Sequence, residues 1–119
     1  GYGDAFREDA RLIQVDIDEE ANKSGCRPQD IGPLADAIAA EPALRLRGLM
    51  AIPAPHPDPE LCRPAFARMR ALFDALKSRH PQIDTLSMGM SDDFHVAIAE
   101  GATLVRVGTA LFGPRPARG

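Results

Sequence analysis

The sequence predicts an α/β domain built on a parallel sheet. Two observations carry this. Four short β-rich runs alternate with helical patterns, and strands alternating with helices imply parallel neighbours joined by right-handed crossovers. The runs are also largely apolar, as strands covered on both faces should be. The order is β-α-β-α-β-α-β. Four such units make either a small open α/β sheet or a piece of a (β/α)8 barrel.

The first expected strand is residues 12–18, LIQVDID, with Leu12, Ile13, Val15 and Ile17 as its apolar content. A helix is expected over residues 28–41, where Ile31, Leu34, Ala35 and Ile38 fall on one face. Pro28 suits its first turn and Pro42 stops it. The second strand is residues 46–52, LRGLMAI. The prolines at 53, 55, 57 and 59 then allow neither helix nor central strand, so they read as a stiff loop. The second helix covers residues 64–79, burying Phe66, Met69, Phe73 and Leu76 and ending before Pro81. The third strand is residues 84–90, DTLSMGM. A short helix follows over residues 92–100, with Ser91 as N-cap and Gly101 just past its end. The fourth strand is residues 103–109, TLVRVGT.

Composition narrows the function. A chain of 119 residues makes one domain at most. With 45% hydrophobic and 26% charged residues it is ordinary for a globular chain, which excludes bulk disorder. No apolar run approaches the roughly 18 residues of a membrane span. A net charge of −3 without a basic stripe argues against nucleic acid as the main partner. Cys26 and Cys62 match no zinc pattern and read as inert small hydrophobes, in a reducing cytoplasm. His56, His80 and His95 are scattered without ligand spacing and read as surface histidines, so no metal is expected. The chain has 12 Arg but only two Lys, Lys23 and Lys77. Chemistry that needs a lysine amine must use one of these.

Ligands of parallel sheets and barrels sit beyond the C-terminal strand ends. The residues there are Asp16 and Asp18, Ile52 and Pro53, Met90 and Ser91, and Gly108 and Thr109. Ser91 starts a helix, whose free N–H groups favour an anion. Gly108 lets backbone approach a ligand closely. Against this, Ser91 could be only a cap and Gly108 only a turn residue. Arg106 lies inside an apolar strand, where a guanidinium needs either an ion-pair partner or a ligand. Asp92 and Asp93 read as complements of the helix dipole.

The segments LIQVDIDEEANKSG, LRGLMAIP and IDTLSMGMSDDFHVAIAEGATLVRVGTALFG resemble the C-terminal half of the pyridoxal phosphate homeostasis protein family (the YggS/PROSC type), itself similar to the barrel domain of alanine racemase. SMGMSDD and VRVGTALFG are the specific motifs. The resemblance covers residues 12–113, with residues 1–11 as a leader and 114–119 as a disordered tail. It implies half of a (β/α)8 barrel, with four parallel strands corresponding to strands five to eight and three intervening helices.

The resemblance also implies pyridoxal 5′-phosphate as cofactor, with Ser91, Gly108 and Thr109 on its phosphate, Arg106 facing the pyridine nitrogen and Met90 near the ring. An arginine there keeps that nitrogen unprotonated, which makes the ring a poorer electron sink and suits a carrier or a racemase-like site better than a transaminase. No catalytic residue is implied. The family's cofactor lysine belongs to the first strand of the other half. Lys23 lies in the ANKSG loop and Lys77 on an exposed helix face, so no Schiff base is expected and cofactor binding should be weak. Asp16 stands where the family commonly has Asn. An alanine racemase needs two bases, and with Tyr2 the single tyrosine the expectation runs against it. A half barrel binding phosphate alone is the other alternative. Two edge strands and a small core predict self-association, most simply as a dimer.

Overall fold

The computed structural model describes residues 10–18, 25–54, 56–90 and 92–105. Three parallel strands form its sheet in the order β1 (Ala10–Gln14), β2 (Arg45–Met50), β3 (Thr85–Ser87). Helix α1 (Ile31–Ala39) links β1 to β2, α2 (Arg63–Arg79) links β2 to β3, and α3 (Phe94–Ala99) follows β3. Short 3-10 turns at Pro28–Asp30 and Pro59–Cys62 lead into α1 and α2, each with a proline in its first turn. A fourth segment lies beside β3. Leu104 bridges Ser87 in parallel, Met88 N–H donates to Leu104 at 3.1 Å, and Thr103 N–H donates to Leu86 at 2.9 Å. Residues 106–109 of the expected fourth strand lie outside the described residues.

The register sorts the two sheet faces. Ile13, Leu49 and Leu86 stand in one row, and all three are buried in the core shared with the helices. Val15, Ala51 and Met88, two residues further on, are buried with them. The neighbouring rows, Leu12–Gly48–Thr85 and Gln14–Met50–Ser87, belong to the other face. Helix α2 supplies Phe66, Met69, Phe73 and Leu76, the four positions its periodicity marks. Each side chain so buried contributes about 1.5–3 kcal/mol.

Several elements depart from expectation. Strand β1 starts two residues early, at Ala10, and its ladder with β2 ends at Gln14. Val15 N–H still donates to the Met50 carbonyl at 2.8 Å, and on its outer side Val15 bridges Cys26: Cys26 N–H donates to Gln14 at 2.9 Å and Asp16 N–H to Cys26 at 2.8 Å. The rim half of an edge expected to be free is therefore covered by the chain itself. The next residues turn, as Asp favours. Leu34 is 40% exposed, because the stripe that α1 buries runs through Ile31, Ala35 and Ile38 and leaves Leu34 on its flank. Helix α3 starts at Phe94 with Asp93, not Ser91, as its N-cap residue. The Asp93 N–H donates to the Met90 carbonyl at 3.1 Å, so Asp92 and Asp93 lie in a turn ahead of the helix. Gly101 does end α3, and Ala102 N–H reaches back to Ala97 at 3.0 Å. His80 is half-buried and bonds Asp36 at 3.0 Å, not simply a surface histidine.

A β-bulge in β2 organises the sheet. Arg11 pairs with Leu46 and Leu12 with Gly48, so Arg47 is the extra residue. Its guanidinium is 4% exposed and grips the half-exposed Asp84, Nε to Oδ1 at 3.0 Å and Nη2 to Oδ2 at 2.6 Å. Asp84 N–H also donates to the Arg47 carbonyl at 2.9 Å. Gly48 has φ +154°, and a Cβ there would be driven into the Thr85 carbonyl. Gly48→Ala is expected to cost about 3 kcal/mol or more, since backbone strain and a main-chain clash coincide in the central strand. Urea denaturation checks this.

Arg47, with Thr85 Oγ1 also donating, holds the Asp84 carboxyl below the usual carboxylate range. A carboxyl lowered in the folded state adds stability that is complete above its unfolded value, about 3.9, and is lost as pH falls through the folded value. Asp84→Asn should therefore lower stability by about 1–2 kcal/mol at pH 7. The loss should shrink as pH falls from about 4 toward 2. Denaturation midpoints across that range read the difference.

Candidate functional site

Parallel strands deliver all their C-terminal ends to one rim. Asp16, Ile17 and Asp18 follow β1 there, Ile52, Pro53 and Ala54 follow β2, and Gly89 and Met90 follow β3. Side chains stitch these ends together. The Asp18 carboxylate accepts the Ala54 N–H at 2.7 Å, joining the first end to the second. Arg68, from α2, donates to the Ile17 carbonyl at 3.1 Å. The Cys62 thiol points to the Ala54 carbonyl at 3.8 Å. Burial, with the Asp93 carboxylate beside it, pushes this thiol up and keeps it protonated. At the third end, the Asp93 carboxylate accepts the Met90 N–H at 2.7 Å.

Gly89 shapes the exit from β3. Its φ is +105°, and a Cβ would come within 2.7 Å of the Ala97 Cβ. Glycine thus lets the strand end lie flat against α3 and turn outward. The same imagined Cβ would be 3.2 Å from Val105 Cγ1. The fourth segment therefore passes beside Gly89 just before residue 106.

Among the residues expected to hold a cofactor, Met90 is described, and it is 40% exposed at the rim. Ser91, Arg106, Gly108 and Thr109 lie outside the described residues, as does Lys23. Ile52, 42% exposed, stands at the end of the neighbouring strand. Cys26 is half-buried, and burial pushes its thiol up as well. Among the described residues, no group of His, Cys, Asp and Glu could hold a metal ion.

Lys77 is far from the rim. Its amine donates to the Ile83 carbonyl at 2.5 Å and to the Pro81 carbonyl at 3.3 Å. Both carbonyls precede β3, at the opposite end of the sheet from Met90.

Three features were not anticipated. The buried Arg47 could have been found, because it precedes a glycine within an apolar strand just as Arg106 precedes Val107 and Gly108. The Asp18–Ala54 and Asp93–Met90 bonds carry no such signal, since an aspartate near a turn fits many roles.

Comparison with known proteins places the chain. The family model for the alanine racemase N-terminal domain matches residues 7–116. The chain is 55% identical to the pyridoxal phosphate homeostasis protein of Pseudomonas aeruginosa over 103 residues, 87% of this chain and 44% of that one. It is 52% identical to that of Escherichia coli over 104 residues, with the same shares covered. The chain thus spans a little under half the length of these relatives. Among solved structures it superposes on PipY of Synechococcus elongatus without PLP with a TM-score of 0.75, at 35% identity over 93% of this chain and 53% of that one. For PipY with PLP bound the TM-score is 0.70, at 32% identity over 87% and 49%. No helix among the described residues is long and apolar enough to cross a membrane. A parallel α/β sheet with open strand ends at one rim, matched along nearly all its length, belongs to the alanine racemase N-terminal-domain family, in its pyridoxal phosphate homeostasis protein branch.

Proposed function

We propose that this chain binds pyridoxal 5′-phosphate through the phosphate group, at the rim where its strands end, and that it serves vitamin B6 homeostasis as a carrier without turnover. The observation that supports this is the meeting of two chain segments. Gly89 turns the third strand outward at Met90, and Val105 arrives beside Gly89. Ser91 thus follows one strand end in sequence while Arg106, Gly108 and Thr109 follow the neighbouring segment. Serine, threonine and glycine main chain suit a phosphate, and an arginine suits a ring nitrogen that stays unprotonated. Met90, exposed at the rim, would lie near the ring. These residues fit the group, which would supply a reactive aldehyde.

In the same reading, residues 12–113 are the binding unit, half of a (β/α)8 barrel whose four strands correspond to the family's fifth to eighth. Lys77 has its amine committed to two carbonyls at the other end of the sheet. Lys77 therefore does not reach a cofactor at the rim, and in this reading the chain holds it through its phosphate. Unpaired Cys26 and Cys62 fit a reducing compartment such as the cytoplasm.

Titration with the cofactor should show saturable binding, and borohydride should trap none of it on the protein. Ser91→Ala with Thr109→Val should weaken binding by about tenfold or more, as expected for two lost bonds to a charged group. Cofactor fixed to Lys23 or Lys77 would overturn the non-covalent reading, and unchanged affinity in the double variant would overturn the phosphate cradle.

The chain also self-associates in this proposal. The sheet face bearing Leu12, Met50 and Ile52 is only partly covered, and a second copy laid over it would bury those side chains. Light scattering coupled to size-exclusion chromatography should report a dimer, and a stable monomer would refute this.

A further inference from the structure

One buried side chain in the sheet carries a polar group that the described residues do not engage. Ser87, the last residue of β3, is 3% exposed. Its carbonyl accepts the Ala51 N–H at 3.0 Å, but its hydroxyl makes no hydrogen bond among the described residues. The other described hydroxyls are engaged. Thr85 donates to Asp84 at 2.8 Å, Ser78 donates to the Ala75 carbonyl at 2.7 Å, and Thr103 accepts the Leu86 N–H at 2.8 Å. A buried hydroxyl without a partner is costly, so a group from outside the sheet is called for.

The surroundings of Ser87 narrow what that group is. Ser87 belongs to the sheet face turned away from the helices. On that face it is paired with Met50 of β2 on one side and Leu104 of the fourth segment on the other, both partly buried. The hydroxyl therefore sits between two apolar side chains. A bound water needs about two to four polar partners, and these flanks add none. Gly89 follows about 6.6 Å further along the chain, towards the rim. A Cβ on Gly89 would point at Ala97 of α3, so no side chain from that position stands over Ser87. A group reaching Ser87 from the rim meets bare main chain, apolar flanks and one hydroxyl. A flat, largely apolar ring with a single polar substituent matches those three features.

We propose that Ser87 binds the heterocycle of the cofactor: its hydroxyl donates a hydrogen bond to the oxygen on the pyridine ring of pyridoxal 5′-phosphate, with Met50 and Leu104 flanking the ring. This rests on the functional reading above and adds to it a residue that recognises the ring and not the phosphate.

Ser87→Ala removes the hydroxyl and leaves the backbone pairing intact. Dissociation constants are measured on this variant and on the parent chain for pyridoxal 5′-phosphate, for its analogue lacking the ring hydroxyl and for inorganic phosphate. Melting temperature and light scattering are recorded on both proteins. Ser87→Ala should bind the cofactor about fivefold to tenfold more weakly, and should bind the analogue and inorganic phosphate within about twofold of the parent. Its melting temperature should not fall, because no bond within the protein is lost.

The proposal is overturned if cofactor affinity is unchanged, if the analogue loses as much as the cofactor, or if inorganic phosphate weakens in parallel. A lower melting temperature with unchanged affinity would assign the hydroxyl to a buried water. Weaker self-association with unchanged affinity would assign it to a second copy. Either result overturns the proposal. A parent chain that does not bind the cofactor overturns the functional reading and this proposal together, whereas a parent that binds it while Ser87→Ala changes nothing overturns the ring contact alone.

Discussion

The close approach of β2 to β3 at Gly48 is the constraint on which the rest depends. A parallel sheet gathers its strand ends at one rim only if its central strand holds both neighbours in register. Here β2 carries an extra residue, Arg47, and resumes pairing through a glycine whose missing side chain leaves room for the Thr85 carbonyl. The bulge brings the Arg47 guanidinium onto Asp84, fixing the entry to β3 by two side-chain bonds and one main-chain bond. With that entry fixed, the row Ile13–Leu49–Leu86 meets the helices and the exit of β3 falls at Gly89 and Met90.

The two ends of the sheet are chemically distinct. The entry end holds the Arg47–Asp84 pair and the lysine amine anchored on carbonyls. The rim holds aspartates that accept backbone N–H groups, a protonated thiol and exposed apolar side chains. Among the described residues Arg68 reaches the rim, bonded to the Ile17 carbonyl, and beyond the third strand the sequence carries Arg106, Arg115 and Arg118.

Much of this architecture was legible in the sequence. The second helix is fully written in its pattern, because Phe66, Met69, Phe73 and Leu76 are large, regularly spaced and bounded by prolines. The first helix was read less well. Leu34 fits the same periodicity, yet a nine-residue helix lying on two strands buries only a narrow stripe. Strand limits were misjudged where tertiary pairing decides them. Nothing local in LIQVDID says that Val15, still bonded to Met50 of β2, will also bridge Cys26, eleven residues on. The rim's location was readable from topology alone, since parallel strands must end together. Its internal wiring was not, because the Asp18–Ala54 and Asp93–Met90 bonds join a side chain to main chain, and main chain carries no sequence signature.

The Val15–Cys26 bridge bears on how far this sheet can grow. An open strand edge is a template, and a template long enough to be copied repeatedly leads to filaments. Here the chain folds its own short segment over the edge at the level of Val15 and Asp16, so an incoming strand meets an obstruction there and must stop. Arg11, exposed on the same strand, adds charge next to whatever length is left. The bridge thus occupies the Gln14 carbonyl and the Asp16 N–H, the two backbone groups an incoming strand would need at the rim end of β1.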